Sequence, residues 1–109
     1  MEVVLSEAET MKKNRIIDFD IKTIKTKEDL FAVVSTTPVR NRKKIMHFFK
    51  TANVGPIGMN SLKDPVTGKV YAMSNVCFEK DGYSWSSAIP YLFEKYNIRL
   101  NEDFVKKFD

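Results

Sequence analysis

Between Asp29 and Asp64 the chain carries no acidic residue, but it carries Arg40, Arg42, Lys43, Lys44, Lys50 and Lys63. Six cations without an intervening carboxylate are suited to gripping phosphates, because each Lys or Arg that meets a phosphate releases condensed counterions. The rest of the chain holds 12 basic and 14 acidic residues, so the formal charge of +4 is a regional property. At about 100° per residue, a helix over 38–52 places Ile45, Phe49 and Ala52 on one face, with Met46 at its edge. Arg40, Lys43, Lys44, His47 and Lys50 then fall on the opposite face. With Arg42, these are the candidate contacts for the backbone of DNA or RNA, or for an acidic protein surface. A charge run is most often a solvated helix face, but such faces usually mix both signs, and this one does not.

Other chemistry-bearing residues are fewer and more scattered. His47 and Cys77 have the residue types of a base and a nucleophile, yet neither lies in a nucleophile elbow or a cysteine-enzyme signature. A small packing role for Cys77 and membership of the basic stripe for His47 are the alternative. Asp18 and Asp20 lie two apart, so their carboxylates can share a Mg²⁺ if a fold brings Asp64 or Glu79 close; otherwise they are the polar side of a strand. One His and one Cys leave a zinc site two ligands short. Gly55-Pro56-Ile57-Gly58 is a bare GxxG, the loop with which KH domains clamp an RNA backbone, but no convincing helix follows it. No phosphate-binding loop or dinucleotide fingerprint is present, and the expectation is no cofactor and no metal.

These residues must be positioned by a chain of 109 residues, 43% hydrophobic and 12% aromatic, the size and composition of a single domain spanning 1–109. Cys77 is the lone cysteine, which excludes an internal disulfide. No apolar run is long enough for a membrane span, and the N-terminal residues lack the pattern of a secretory signal, so the expected location is cytoplasmic. Ser6 and Glu9 have capping-box spacing, which allows a short helix to about residue 13; a frayed terminus over 1–14 is the alternative.

Alternation of Ile17, Phe19 and Ile21 with Asp18, Asp20 and Lys22 predicts a strand over 15–25. Thr26 caps a helix that buries Leu30, Phe31, Val33 and Val34. Pro38 opens the basic helix, and Gly55-Pro56 ends it. Residues 64–68 read as a turn, and Asp81-Gly82 as a two-residue hairpin loop pairing Lys80 with Tyr83 and Phe78 with Trp85. The expected result is a meander of strands over 57–62, 69–78 and 83–86. Val70, Ala72, Val76, Phe78 and Trp85 would share its core face. The other face carries Tyr71 and Met73, a candidate partner-binding surface if the helices leave it open and plain core if they do not. Ser87 and Asn101 cap two C-terminal helices. The fold class is therefore α+β: a small antiparallel sheet of three to four strands, with about four short helices packed mainly on one face.

The Lys-, Ile-, Asn- and Phe-rich composition resembles that of small accessory proteins from phages or AT-rich bacteria, a likeness that assigns no residue a role. The functional expectation is a non-catalytic binding or regulatory protein that engages nucleic acid, or a nucleic-acid–protein complex, through the basic helix. The alternative is an inhibitor or regulator that docks on a host enzyme through the Tyr71 and Met73 face or the same basic stripe. A small hydrolase built on Asp18, Asp20 or His47 is the third class.

Overall fold

Thr26 starts the first helix as its spacing predicts. In a computed structural model of the protein, which describes residues 15–109, the Asp29 N–H donates to Thr26 Oγ1 and the Thr26 N–H donates to Asp29 Oδ2, each at 3.2 Å. This reciprocal box opens α1 (Lys27–Phe31), a single turn that buries Leu30 and leaves Phe31 exposed. The helix predicted from Ser6 lies outside the described residues.

The strand predicted over 15–25 does not form. Among the described residues no neighbouring strand supplies a ladder for its backbone, and Asp20 diverts the chain by accepting from the Lys22 N–H at 2.9 Å, opening a 3-10 turn over Ile21–Thr23. The hydrophobic half of that pattern still finds the core, where Ile16 is buried and Ile17, Phe19 and Ile21 pack against it.

The basic helix is shorter than its sequence pattern. α2 (Arg42–Lys50) begins four residues after Pro38, at Asn41, whose left-handed φ of 62° bends the chain into the helix. Arg40 is thus outside it. Its buried side is Ile45, Phe48 and Phe49, with Ala52 beyond its end and half-buried. The end comes at Thr51, whose N–H and hydroxyl both donate to the His47 carbonyl. Gly55 and Pro56 are not the stop but part of β1 (Asn53–Ile57), the first strand. There Gly55 permits a close approach: a Cβ would stand 3.1 Å from the Cys77 carbonyl oxygen.

The predicted meander divides in two. β2 (Leu62–Lys63) and β3 (Val70–Ala72) form a two-stranded antiparallel ribbon, while β1 pairs with β4 (Val76–Lys80), which pairs with β5 (Tyr83–Ser86), in the order β1-β4-β5. The Asp81-Gly82 loop has φ of 51° and 83°, and Lys80 faces Tyr83 and Phe78 faces Trp85 as expected. Because residues 73–75 interrupt the long strand, the face assignment shifts: Val70 is exposed and Tyr71 is tucked in, while Phe78 and Trp85 keep their core side.

α3 (Ala88–Tyr96) holds Pro90 in its first turn, where no helical N–H is lost. Ser87 precedes it without a side-chain cap, its hydroxyl accepting instead from the Val76 N–H at 3.2 Å. α4 (Glu102–Lys106) is capped by Asn101, with Glu102 and Asp103 at its positive end. α2, α3 and α4 meet around an aromatic cluster in which Phe49 stacks with Phe104 at 6.1 Å and lies edge-on to Phe93 at 6.1 Å. Phe93 and Phe104 are fully buried, each contributing about 1.5–3 kcal/mol by area. The four helices and two antiparallel sheets make an α+β fold, and no helix of the described residues is long and apolar enough to cross a membrane.

Candidate anion-binding groove

α2 carries Lys43, His47 and Lys50 at helical spacings of four and three, on one exposed side. None of their side chains makes an ion pair among the described residues. The other three candidate cations have partners. Arg40 grips Asp109 through Nε at 3.0 Å and Nη2 at 3.2 Å, and reaches Glu102 at 2.5 Å. Those two carboxylates raise its affinity for its proton above the ordinary arginine level, and the Arg40 and Asn41 donors hold the Asp109 carboxyl below the usual range. Arg42 lies over the Phe93 ring at 4.7 Å and donates to the Phe93 carbonyl at 3.2 Å and the Glu94 carbonyl at 2.7 Å. A guanidinium there adds a second donor to the Phe93 carbonyl, already bonded by the Asn97 N–H, and complements the dipole at the end of α3. Lys44 Nζ donates to the Phe108 carbonyl at 3.1 Å.

In exchange, the fold brings in cations the sequence pattern did not link to α2. Lys80 at the end of β4 and Lys107 after α4 stand over the Phe48 ring at 5.2 and 5.9 Å. Lys80 Nζ also donates to Thr51 Oγ1, and Lys107 pairs loosely with Asp81 at 3.8 Å. Together with Lys43, Lys44 and His47 they rim a groove of about 530 Å³ whose floor is Phe48 and Phe108. On the other flank of α2, Lys43, His47 and Lys50 border a second concavity of similar size with Arg42 and Met46. Asp81 and Glu94 are the two carboxylate residues lining these surfaces. No local pattern announced Lys80 and Lys107, though the spacing of Phe104 and Phe108 hints that the C-terminal turn packs onto the core.

The second candidate surface is rearranged. Tyr71 is half-buried, stacked parallel on Tyr91 with ring centres 3.6 Å apart, and Met73 lies 79% exposed beyond the end of β3. The two do not form one open face. Beside them Asp64 is almost wholly buried at the start of its turn. Its Oδ1 accepts from the Val66 and Thr67 N–H groups at 2.8 and 3.0 Å, and its Oδ2 from Tyr91 Oη at 2.6 Å and Lys95 Nζ at 3.0 Å. Tyr96 Oη lies 2.7 Å from both oxygens. Burial alone would raise this carboxyl; the two tyrosines, the Thr67 N–H and Lys95 outweigh it and hold the group well below the usual carboxylate range. Burial, with Tyr91 and Asp64 nearby, pushes Tyr71 up to about 12. Asp64 thus ties the β2–β3 ribbon to α3 and has no spare lone pair for a ligand.

The remaining constellations disperse. Asp18 accepts from Asn101 Nδ2 at 2.6 Å, while Asp20 caps its 3-10 turn, and Asp64 is engaged elsewhere. Among the described residues no three His, Cys, Asp or Glu side chains gather as metal ligands. Cys77 is half-buried on β4 with Sγ against the Phe78 carbonyl, and it does not line either surface that holds His47. The GxxG residues sit in and just after β1 rather than between helices. Compared with known protein families, curated proteins and solved structures, the chain finds no match.

Proposed function

We propose that this protein is a non-catalytic binding protein that engages nucleic acid, or a nucleic-acid–protein complex, through the α2 groove. The observation that carries the reading is the convergence of Lys43, Lys44, His47, Lys80 and Lys107 from three separate segments onto one concave surface. Exposed like charges repel one another, and nothing within the described residues neutralises Lys43 or Lys50. An anionic polymer laid across them releases its counterions and relieves that repulsion. Arg40 and Arg42, engaged at the C-terminus and at the end of α3, drop out of the footprint, while Lys80 and Lys107 enter it.

With four or five phosphates neutralised, log K falls against log salt with a slope of roughly −4 on duplex DNA and roughly −3 on a single strand. Anisotropy of labelled oligonucleotides across a salt series measures this slope. Lys43→Glu with Lys44→Glu, both in the groove, is expected to abolish binding near physiological salt. Binding that ignores salt, or that survives this double variant, removes the reading.

A second reading, a regulator that docks on another protein, is favoured by the apolar exposure of β1 and its neighbouring loops: Val54 and Ile57 are 64% exposed, Met59 94% and Met73 79%. A pull-down after nuclease treatment separates the two. A partner lost with Met59→Ser and Met73→Ser but retained in the lysine variant assigns the activity to this side.

A further inference from the structure

The groove has a property that a purely electrostatic grip does not require: its floor is aromatic. Phe48 is buried beneath it, but Phe108 is only half-buried and lines the groove. That ring is held edge-on by Phe48 at 5.4 Å and by Phe104 at 5.2 Å, so the core sets its orientation. The Phe108 backbone is fixed as well, its N–H donating to Val105 at 3.1 Å and its carbonyl accepting from Lys44 Nζ at 3.1 Å. The same surface is lined by Lys43 and Lys44 from α2, and by Lys80 and Lys107, which stand over the neighbouring Phe48 ring. The groove, about 530 Å³, is wide open to solvent, as a site for a continuous polymer must be.

A duplex offers such a site only its outer phosphates, because its bases are stacked inside, beyond the reach of Phe108. A single strand offers a phosphate and an unstacked base together, the combination that aromatic platforms inside basic grooves take. We infer that the nucleic acid of this groove is single-stranded, with one base laid on Phe108 and the neighbouring phosphates on Lys43, Lys44, Lys80 and Lys107. This rests on the nucleic-acid reading above and adds the strandedness and the stacking residue. Stacking tolerates every base, so little sequence preference is expected.

The test compares a labelled oligothymidylate with a blunt duplex of the same number of phosphates, by anisotropy at about 50 mM salt. The single strand is expected to bind at least about tenfold more tightly. Phe108→Leu, which keeps an apolar side chain but removes the ring, is expected to weaken it roughly 5- to 150-fold, a larger loss than duplex binding shows. Phe108→Tyr restores the affinity. A urea curve for each variant establishes that it folds, and the wild-type comparison needs no variant. Duplex binding as tight as single-strand binding, or a Phe108→Leu protein as tight as the wild type, overturns the inference while leaving the nucleic-acid reading in place. Binding to neither probe overturns both.

Discussion

Asp64 and Lys43 are both charged, yet the molecule treats them in opposite ways. Asp64 is buried with five donors on its two oxygens, from Val66, Thr67, Tyr91, Lys95 and Tyr96. Lys43 stands in solvent with no ion pair among the described residues, beside other cations and an aromatic floor. Both neighbourhoods are built from lysines and aromatic rings. In the first, every group is aimed inward at one carboxylate; in the second, cations outnumber the single carboxylate, Asp81, and Lys43 has no ion pair among the described residues. A buried charge must be paired where it lies, so a closed network speaks of stability. An exposed, mainly cationic cluster contributes little to folding stability.

Mutation separates the two regions. The largest effect is expected at Asp64→Ala, which removes the acceptor shared by two half-buried tyrosine hydroxyls, two backbone N–H groups and the exposed Lys95; about 2–4 kcal/mol should be lost in urea unfolding. A loss under about 1 kcal/mol would end the claim that this node is structural. Tyr96→Phe removes one charge-assisted bond and is expected to cost about 1.5–3 kcal/mol by the same measurement.

The node also has a pH signature. Tyr71 is raised to about 12 in the folded protein, and Tyr91 and Tyr96 are raised as well, so their contribution is complete below pH 10.0, the ordinary tyrosine value. It is lost as pH climbs from there toward 12. Asp64 runs the other way: held below its ordinary value of 3.8, it stabilises above that pH and yields only as the solution becomes more acid. Thermal melts between pH 9 and 12 should show the alkaline fall, and Asp64→Ala should shrink it, because the Asp64 charge is among the causes that raise all three tyrosines.

The smallest stability effect belongs to the exposed side of α2. Lys43→Ala and Lys50→Ala are expected to change unfolding free energy by less than about 0.5 kcal/mol. Oligonucleotide binding, by contrast, should weaken with each. A lysine variant that unfolds the protein, or a node variant that alone abolishes binding while remaining folded, would blur the division.

Much of the local structure was legible in residue order. Thr26 with Asp29, Asn101 before α4 and the Asp81-Gly82 loop each act through a few adjacent backbone groups, and each stands where its spacing predicts. The candidate site was legible only in part. The acid-free stretch correctly marked Lys43, His47 and Lys50 as an exposed side of α2, but it could not distinguish them from Arg40, Arg42 and Lys44. The partners of those three lie 69, 51 and 64 residues away, at Asp109, Phe93 and Phe108. Nor could periodicity see that residues 73–75 break the long strand, which turned Tyr71 inward onto Tyr91.

What the sequence determined by itself was therefore the placement of charge along the chain, the caps and turns, and the residues apolar enough to form a core. Only the tertiary structure decided which cations are engaged and which are free, that Lys80 and Lys107 join α2 around Phe108, and that Asp64 is a buried anchor. The reason is range: caps and turns are settled by bonds between near neighbours, whereas the fate of a charge depends on which distant segments packing brings against it.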